Sequence, residues 1–324
     1  MRAWTCHEYG SPRDLKLDEV AAPVPRAAEV IIATEAIGLG YVDALFVAGT
    51  YQVKLPLPFV PGSEVAGRVV ATGSEVCHLV TGQRVLALAP RGALAELVAV
   101  PAASCVPIPD GVSSAAAAAM IVNYSTALYG LRDCGQVVSN ERVLVLGAGG
   151  GVGLAGIDVA RALGAEVIAA AATPDKRQAA ERAGARWSVD YSKASWREEL
   201  ERVTGRKDVN VVWDPVGGDY SETALRCLAP GGRHLVVGFA AGTIPRIPLN
   251  LALLKRAAIV GVDWGGHVRA HPGSSAPLLE TLLAWTAAGR LAPEPAATFP
   301  FSAAPEVLLA LLERRMVGKP VLTL

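Results

Sequence analysis

The stretch RVLVLGAGGGVGLAGIDVARALGAEVIAAAATPDKRQ, Arg142 to Gln178, decides how this chain folds. A short apolar run, Arg142 to Leu146, reads as a buried strand that meets a cluster of glycines. The helical pattern GLAGIDVARALG follows, and a second apolar run, EVIAAAA, closes the unit. Strand, glycine turn, helix and strand together offer a tight turn, bare backbone for a pyrophosphate, and helix amides that favour an anion. The best register is Ala148-x-Gly150-x-x-Gly153, so Ala148, Gly149, Gly150, Gly151, Val152 and Gly153 form the predicted phosphate cradle.

The end of the second strand bears on which dinucleotide is held. NAD-binding units place a carboxylate there for the ribose 2′-hydroxyl. Here the strand ends on Ala171, Ala172 and Thr173, which leaves a 2′-phosphate unopposed and favours NADPH. Lys176 and Arg177 either supply charge to that phosphate or form an ordinary solvated helix start; Asp175 could still meet a ribose hydroxyl.

On the C-terminal side of this unit the rhythm continues. VNVVWDPVG, YSETALRCLAPGG, RHLVVGFA and AAIVGVDW alternate strand with helix, as in a parallel sheet covered on both faces. On the N-terminal side, EVIIATEAIGLG, EVAGRVVATG, QRVLALAP and LAELVAV are short apolar runs broken by Gly and Pro, the pattern of an antiparallel barrel. Two amphipathic patterns, SAPLLETLLAWTAAGRL and AAPEVLLALLERRMVG, precede a final strand, KPVLTL, expected to return to the first domain. The expected class is α/β: a Rossmann-type domain over 122–264 inserted in a barrel-like domain over 1–121 plus 265–324.

Composition narrows the partners. Lys plus Arg and Asp plus Glu both number 30, so no basic surplus points to nucleic acid. No apolar run reaches the roughly 20 residues of a membrane span, and charges throughout residues 1–20 leave no secretory leader expected there. Five scattered cysteines without a CxxC fit reduced thiols and a cytoplasmic setting.

Several segments in fixed order make the chain resemble a known family. AIGLGYVDALFVAGTY, PLPFVPGSEVAGRVVATGSEV, GQRVLAL, AAAMIVNYSTALYGL, the glycine turn, WDPVGGD and VGKPVLTL are similar to the medium-chain dehydrogenase/reductase superfamily, in its zinc-free quinone oxidoreductase branch. The resemblance implies a GroES-like β-barrel catalytic domain with the Rossmann domain inserted. Zinc-dependent relatives carry ligands where this chain has Gly40, Ser63 and Val122, and the cysteines of a structural zinc site are missing too, so no metal is expected. Without a Lewis acid, hydride transfer from NADPH suits acceptors already primed for negative charge: quinones and α,β-unsaturated carbonyls. The other readings are an enoyl-CoA or enoyl thioester reductase, and a non-catalytic NADPH-binding protein of crystallin-like or RNA-binding type.

The resemblance also assigns residues. Tyr51 matches a tyrosine proposed as proton donor in related enoyl reductases, and Tyr41 stands where many zinc-free relatives have a pocket-lining Asn. Thr126, with Asn123 one helical turn earlier, matches a nicotinamide contact; Gly238 and Phe239 follow the strand that passes the nicotinamide. Tyr191 matches a tyrosine beside the adenosine phosphate, Lys176 a matching lysine, and Arg315 an arginine that reaches the NADP phosphate, with Arg314 keeping the register open. Either tyrosine could instead be half-buried packing. Asp43 and Glu64 are expected to be structural, paired with Arg68 or a backbone amide. Asp214 either caps a helix or meets the cofactor, and Arg246, Lys255 and Arg256 are ordinary surface charges or contacts for acyl-CoA phosphates. AAIVGVDW is expected to form the edge strand of a homodimer.

Overall fold

Alternating short strands build the first of two units in the computed structural model, which describes residues 1–293 and 295–324. This unit comprises Met1–Val122, His271–Gly289 and Pro293–Leu324. A hairpin, β1 (Arg2–Thr5) with β2 (Lys16–Glu19), precedes β3 (Glu29–Gly38), α1 (Tyr41–Ala48) and β4 (Glu64–Thr72). β5 (Arg84–Leu88), β6 (Leu97–Pro101), β7 (Cys105–Pro107) and α2 (Ser114–Leu128) follow.

The second unit, Asn123–Ala270 with Arg290–Ala292, alternates strand and helix. It runs β8 (Arg142–Leu146), α3 (Gly151–Ala162), β9 (Glu166–Ala170), α4 (Pro174–Arg182), β10 (Trp187–Val189) and α5 (Trp196–Thr204). β11 (Val209–Asp214), α6 (Asp219–Arg226), β12 (Leu228–Val236), α7 (Asn250–Lys255), β13 (Ala258–Gly261) and α8 (Trp264–Ala270) complete it. The chain returns to the first unit with α9 (Ser275–Ala287), β14 (Ala297–Pro300), α10 (Ala304–Leu312) and β15 (Pro320–Thr323).

The strand order in the first unit is β14-β15-β3-β4-β5-β7, with β6 also on β3. Its long strand β3 pairs antiparallel with β4, β6 and β15, so residues over 280 positions apart in sequence share one ladder (Leu322 opposite Ile37). Ile32, Ile37, Leu39, Val65 and Leu94 fill its core, closed by Ala44 and Val47 of α1 and Val307 and Leu308 of α10.

The second unit holds a parallel sheet in the order β10-β9-β8-β11-β12-β13. Counted from β8 as first strand, this is the doubly wound order 3-2-1-4-5-6, whose reversal point lies between β8 and β11. Every residue of β8 is buried, which is why that strand reads as an unbroken apolar run rather than an alternating one. The chain divides within α2, and α8 belongs to the second unit. Among the described residues no helix is long and apolar enough to cross a membrane.

Candidate active site

In the second unit the predicted cofactor residues gather at the carboxyl ends of the parallel strands. The turn after β8 opens with Gly147 in the left-handed region at φ +59°, and the Ala148 amide donates to the Ala170 carbonyl at 3.1 Å, tying the turn to the end of β9. A Cβ on Gly153 would lie 2.3 Å from the Gly147 carbonyl oxygen, and one on Gly149 would lie 2.4 Å from the Lys176 Cβ. Those two glycines are demanded by close packing. Gly150 differs: a Cβ there would meet only the Gly147 oxygen at 3.4 Å. It caps α3 without a side chain, leaving the amides of Gly151, Val152 and Gly153 no acceptor from the cap. A helix start with no side-chain cap and room at its first glycine fits a pyrophosphate. The strict spacing G-x-G-x-x-G at Gly151–Gly156 lies inside α3, so the register beginning at Ala148 is the one on the turn.

The neighbouring strand ends add to this edge. Thr173 caps α4 by accepting from the Lys176 amide at 3.4 Å. Arg177 is committed elsewhere, donating to the Ala171 and Ala172 carbonyls at 3.1 and 3.3 Å and facing Asp190 at 3.5 Å. Of the two predicted cations, Lys176 is therefore the one packed against the glycine turn. After β10, the Tyr191 ring packs tilted against that of Tyr220, with centroids 4.4 Å apart. After β12, the Gly238 amide donates to the Asp214 carbonyl at 3.3 Å, and the Phe239 ring covers Gly217.

Asp214 turns out to be structural. Its buried carboxylate accepts from the amides of Val216 and Gly217, at 2.9 and 2.8 Å, and from Ser221 Oγ and His234 Nε2, at 2.5 and 3.0 Å. Burial pushes this carboxyl up, but the His234 bond and the Gly217 amide hold it below the ordinary range. Every lone pair of Asp214 is thus spent on shaping the loop that leads into α6. Lys255 is also engaged, donating to the Leu228 carbonyl at 2.7 Å.

Asn123 and Thr126 sit on α2, within the second unit's share of that helix. Asn123 is only 6% exposed, yet neither its side chain nor the Thr126 hydroxyl makes a hydrogen bond among the described residues. A nearly buried amide with unused bonding capacity suits a bound polar group. The uncapped start of α3 at Gly150 and this amide are two independent features that fit a dinucleotide.

The first unit holds the predicted tyrosines. Tyr41 is the first residue of α1, and Tyr51 follows the helix end at Gly49. Tyr51 is half-buried, its ring lies 4.6 Å from that of Phe46, and its hydroxyl bonds to none of the described residues. The loop carrying it is pinned by Tyr9, which sequence reasoning missed. The Tyr9 ring covers Gly49, whose φ of +69° ends α1, and its hydroxyl donates to the Leu55 carbonyl. Arg315 lies in this unit as well, exposed and bonded to Glu313 at 2.6 Å.

Asp43 and Glu64 are paired, though not with Arg68, which bridges to Glu35. Asp43 accepts from the Gly40 amide at 2.7 Å and so caps α1. Glu64 is 1% exposed, accepts from the Val122 amide at 2.8 Å and forms an ion pair with Lys319, itself 6% exposed. Burial raises the Asp43 carboxyl and pushes Glu64 up to about 7, against the opposing pull of Lys319. Lys319 was invisible as a functional residue because its partner lies 255 positions away. Among the described residues no three His, Cys, Asp or Glu side chains converge as a metal centre.

Comparison with known proteins covers the whole chain. Residues 26–110 match the family model of the alcohol dehydrogenase GroES-like domain, and residues 151–281 match that of the zinc-binding dehydrogenases. Quinone oxidoreductase-like protein 2 of Bos taurus is 38% identical across all of this chain and 92% of that protein. The Escherichia coli quinone oxidoreductase solved in complex with NADPH is 28% identical, with a TM-score of 0.91 and full coverage of both chains. The CurK enoyl reductase is 26% identical, with a TM-score of 0.86 over 99% of this chain and 98% of that one.

Proposed function

The chain belongs to the medium-chain dehydrogenase/reductase superfamily, in its quinone oxidoreductase branch, and on that footing we propose that it moves hydride from NADPH to a quinone or another activated α,β-unsaturated carbonyl without zinc. What carries the reading is the trio Gly40, Ser63 and Val122, none of them His, Cys, Asp or Glu, at the positions where zinc-dependent relatives hold their ligands. An unactivated alcohol needs a Lewis acid to stabilise its alkoxide; a quinone or enone spreads the incoming charge by conjugation and does not.

NADPH as cofactor is supported by the complex solved for the Escherichia coli relative and by the end of β9, where Ala171, Ala172 and Thr173 offer no carboxylate to repel a 2′-phosphate. Gly149, Gly150, Gly151, Val152 and Gly153 would receive its pyrophosphate, Lys176 and Tyr191 the adenosine side, and Asn123, Thr126, Gly238 and Phe239 the nicotinamide side. When bound, the cofactor supplies the hydride. The protein's own task is then to orient the acceptor and deliver one proton, which with the hydride completes the two-electron reduction. Tyr51, whose hydroxyl is uncommitted, is the donor in this reading, and Tyr41 shapes the acceptor pocket.

An enoyl thioester acceptor is the second reading, supported by the likeness to CurK enoyl reductase and by the tyrosine at position 51. A homodimer is supported by β13, which ends the parallel sheet with Ile259 41% exposed. The test is NADPH oxidation, followed by loss of its absorbance, with 9,10-phenanthrenequinone, 1,4-benzoquinone and crotonyl-CoA in parallel. Turnover of a quinone with no turnover of ethanol is the expected result. Tight NADPH binding with no turnover of any acceptor would favour a binding protein, and stoichiometric zinc in active protein would overturn the metal-free reading.

A further inference from the structure

The three positions without ligands adjoin one pair of buried charges. Gly40 is next to it: a Cβ there would lie 3.5 Å from Lys319 Nζ and 3.8 Å from Glu64 Oε1. Ser63 precedes Glu64 in the chain, and the Val122 amide donates to Glu64 Oε2 at 2.8 Å. Gly38 completes the enclosure, because a Cβ on it would strike the Ala118 carbonyl oxygen at 2.4 Å and Lys319 Cε at 3.1 Å. The cation at this junction of β3, β4, α2 and the start of β15 is the ammonium of Lys319.

A mid-helix amide such as that of Val122 ordinarily serves the carbonyl four residues earlier. Here a side-chain carboxylate reaches it from another strand, and that carboxylate has a buried lysine as its counter-charge. A buried carboxylate stripped of its partner either takes up a proton or becomes very costly.

We propose that Lys319 is a positioning residue for the reaction: its ammonium keeps Glu64 in the charged form that grips the Val122 amide, and so fixes α2 at the point where Asn123 follows. The inference rests on the reductase reading above, and it adds a residue that touches neither cofactor nor acceptor. Charge-assisted bonds to an amide are stronger than neutral ones, so protonating Glu64 loosens this grip. The charged groups facing Glu64 are Lys319 and, from α1, Asp43, which repels it; α2 offers the Val122 amide, β3 the glycine Gly38, the start of α1 the glycine Gly40, and β5 the apolar Leu88. Burial pushes Glu64 up to about 7 even with Lys319 present. Activity therefore falls as pH drops through that value, and loss of the ammonium moves the fall to higher pH.

The experiment compares wild type with Lys319→Met, Lys319→Arg and Glu64→Gln in kcat/KM against pH, NADPH affinity, Tm, and hydrogen exchange of the peptide spanning Val122. For Lys319→Met the acid limb should move up by about one pH unit or more, with kcat down roughly ten-fold and NADPH affinity within about two-fold. Lys319→Arg should retain the limb, and Glu64→Gln should abolish it. Exchange at the Val122 peptide, corrected for intrinsic rate, should be faster at about pH 6 than at about pH 8 in wild type and lose that dependence in Glu64→Gln.

A folded Lys319→Met with the wild-type limb, or a Glu64→Gln that keeps the limb, overturns the proposal. If Lys319→Met does not fold, the Lys319→Arg and Glu64→Gln pair decides by the same limb. The exchange readout needs no acceptor: if nothing is turned over, the reductase reading fails while pH-dependent exchange still supports the Lys319 clamp. Exchange that ignores both pH and the Glu64 change overturns the clamp even in an active enzyme.

Discussion

The two units solve the problem of a precise site in opposite ways. At the strand ends of the parallel sheet, shape comes from side chains that are missing: Gly149 admits Lys176, Gly153 admits the Gly147 carbonyl, and Gly150 starts α3 with no side-chain cap. In the barrel unit, shape comes from charges that are present and buried, with Asp43 holding Gly40, and Glu64 holding Val122 under the ammonium of Lys319. The first device is rigid and indifferent to pH. The second is strong only while each charge keeps its partner, because an uncompensated buried charge costs more than the bond it makes.

The widest gap between these devices should show in Gly153→Ala. The new methyl must displace backbone, since its nearest neighbours are the Gly147 oxygen at 2.3 Å and Ala148 Cα at 2.9 Å. A loss of about 3 kcal/mol is expected, read as a Tm lower by roughly 5 °C or more. A Tm within error of wild type would mean that the turn is softer than its packing implies.

Tyr51→Phe asks whether the barrel unit contributes chemistry as well as shape. Turnover of an enoyl acceptor should fall about a hundred-fold, with NADPH affinity unchanged. Fluorescence titration with NADPH beside steady-state rates separates the two. An unaltered rate would assign the proton to another source and leave Tyr51 as packing against Phe46.

That contrast also explains what could be read from the sequence alone. Gly149, Gly150 and Gly153 lie within a few residues of the strand and helix that need them, so pattern and spacing identify them. The alternation of strand and helix in the second unit follows from the same local rhythm, whereas the strand order 3-2-1-4-5-6 was not legible in it. The Lys319–Glu64 pair does not, since 255 residues separate its members and neither shows which strand it will meet. Tyr9 is hidden for the same reason: its hydroxyl meets Leu55, 46 residues on, across a loop with no periodic signal. Asp214 allowed two readings until its partners His234 and Ser221 showed that its lone pairs were already used. Arg177 and Lys176 were equivalent as text; backbone carbonyls claimed the first.

Lys176→Glu sharpens the comparison at the sheet edge, where one cation stands among glycines. If Lys176 reads the 2′-phosphate, NADPH affinity should fall by about ten-fold and NADH affinity by less than two-fold, its half-buried setting limiting both. Equal losses for the two cofactors would show that Lys176 supports the turn through Gly149 rather than reading the phosphate.

The smallest change, Gly150→Ala, isolates the ligand's demand from the fold's. Gly150 sits at φ −85°, comfortable for any residue, and its Cβ position is open but for one carbonyl oxygen at 3.4 Å. Replacing a glycine cap by alanine costs about 0.5 kcal/mol, so Tm should move by no more than about 2 °C. The added methyl nonetheless lies on the turn proposed to receive the pyrophosphate. NADPH affinity should therefore weaken roughly five-fold in a protein of nearly wild-type stability, a split that packing alone cannot produce. Unchanged affinity would mean that the phosphates approach by another face, and that Gly150 is bare only because nothing in the fold requires it otherwise.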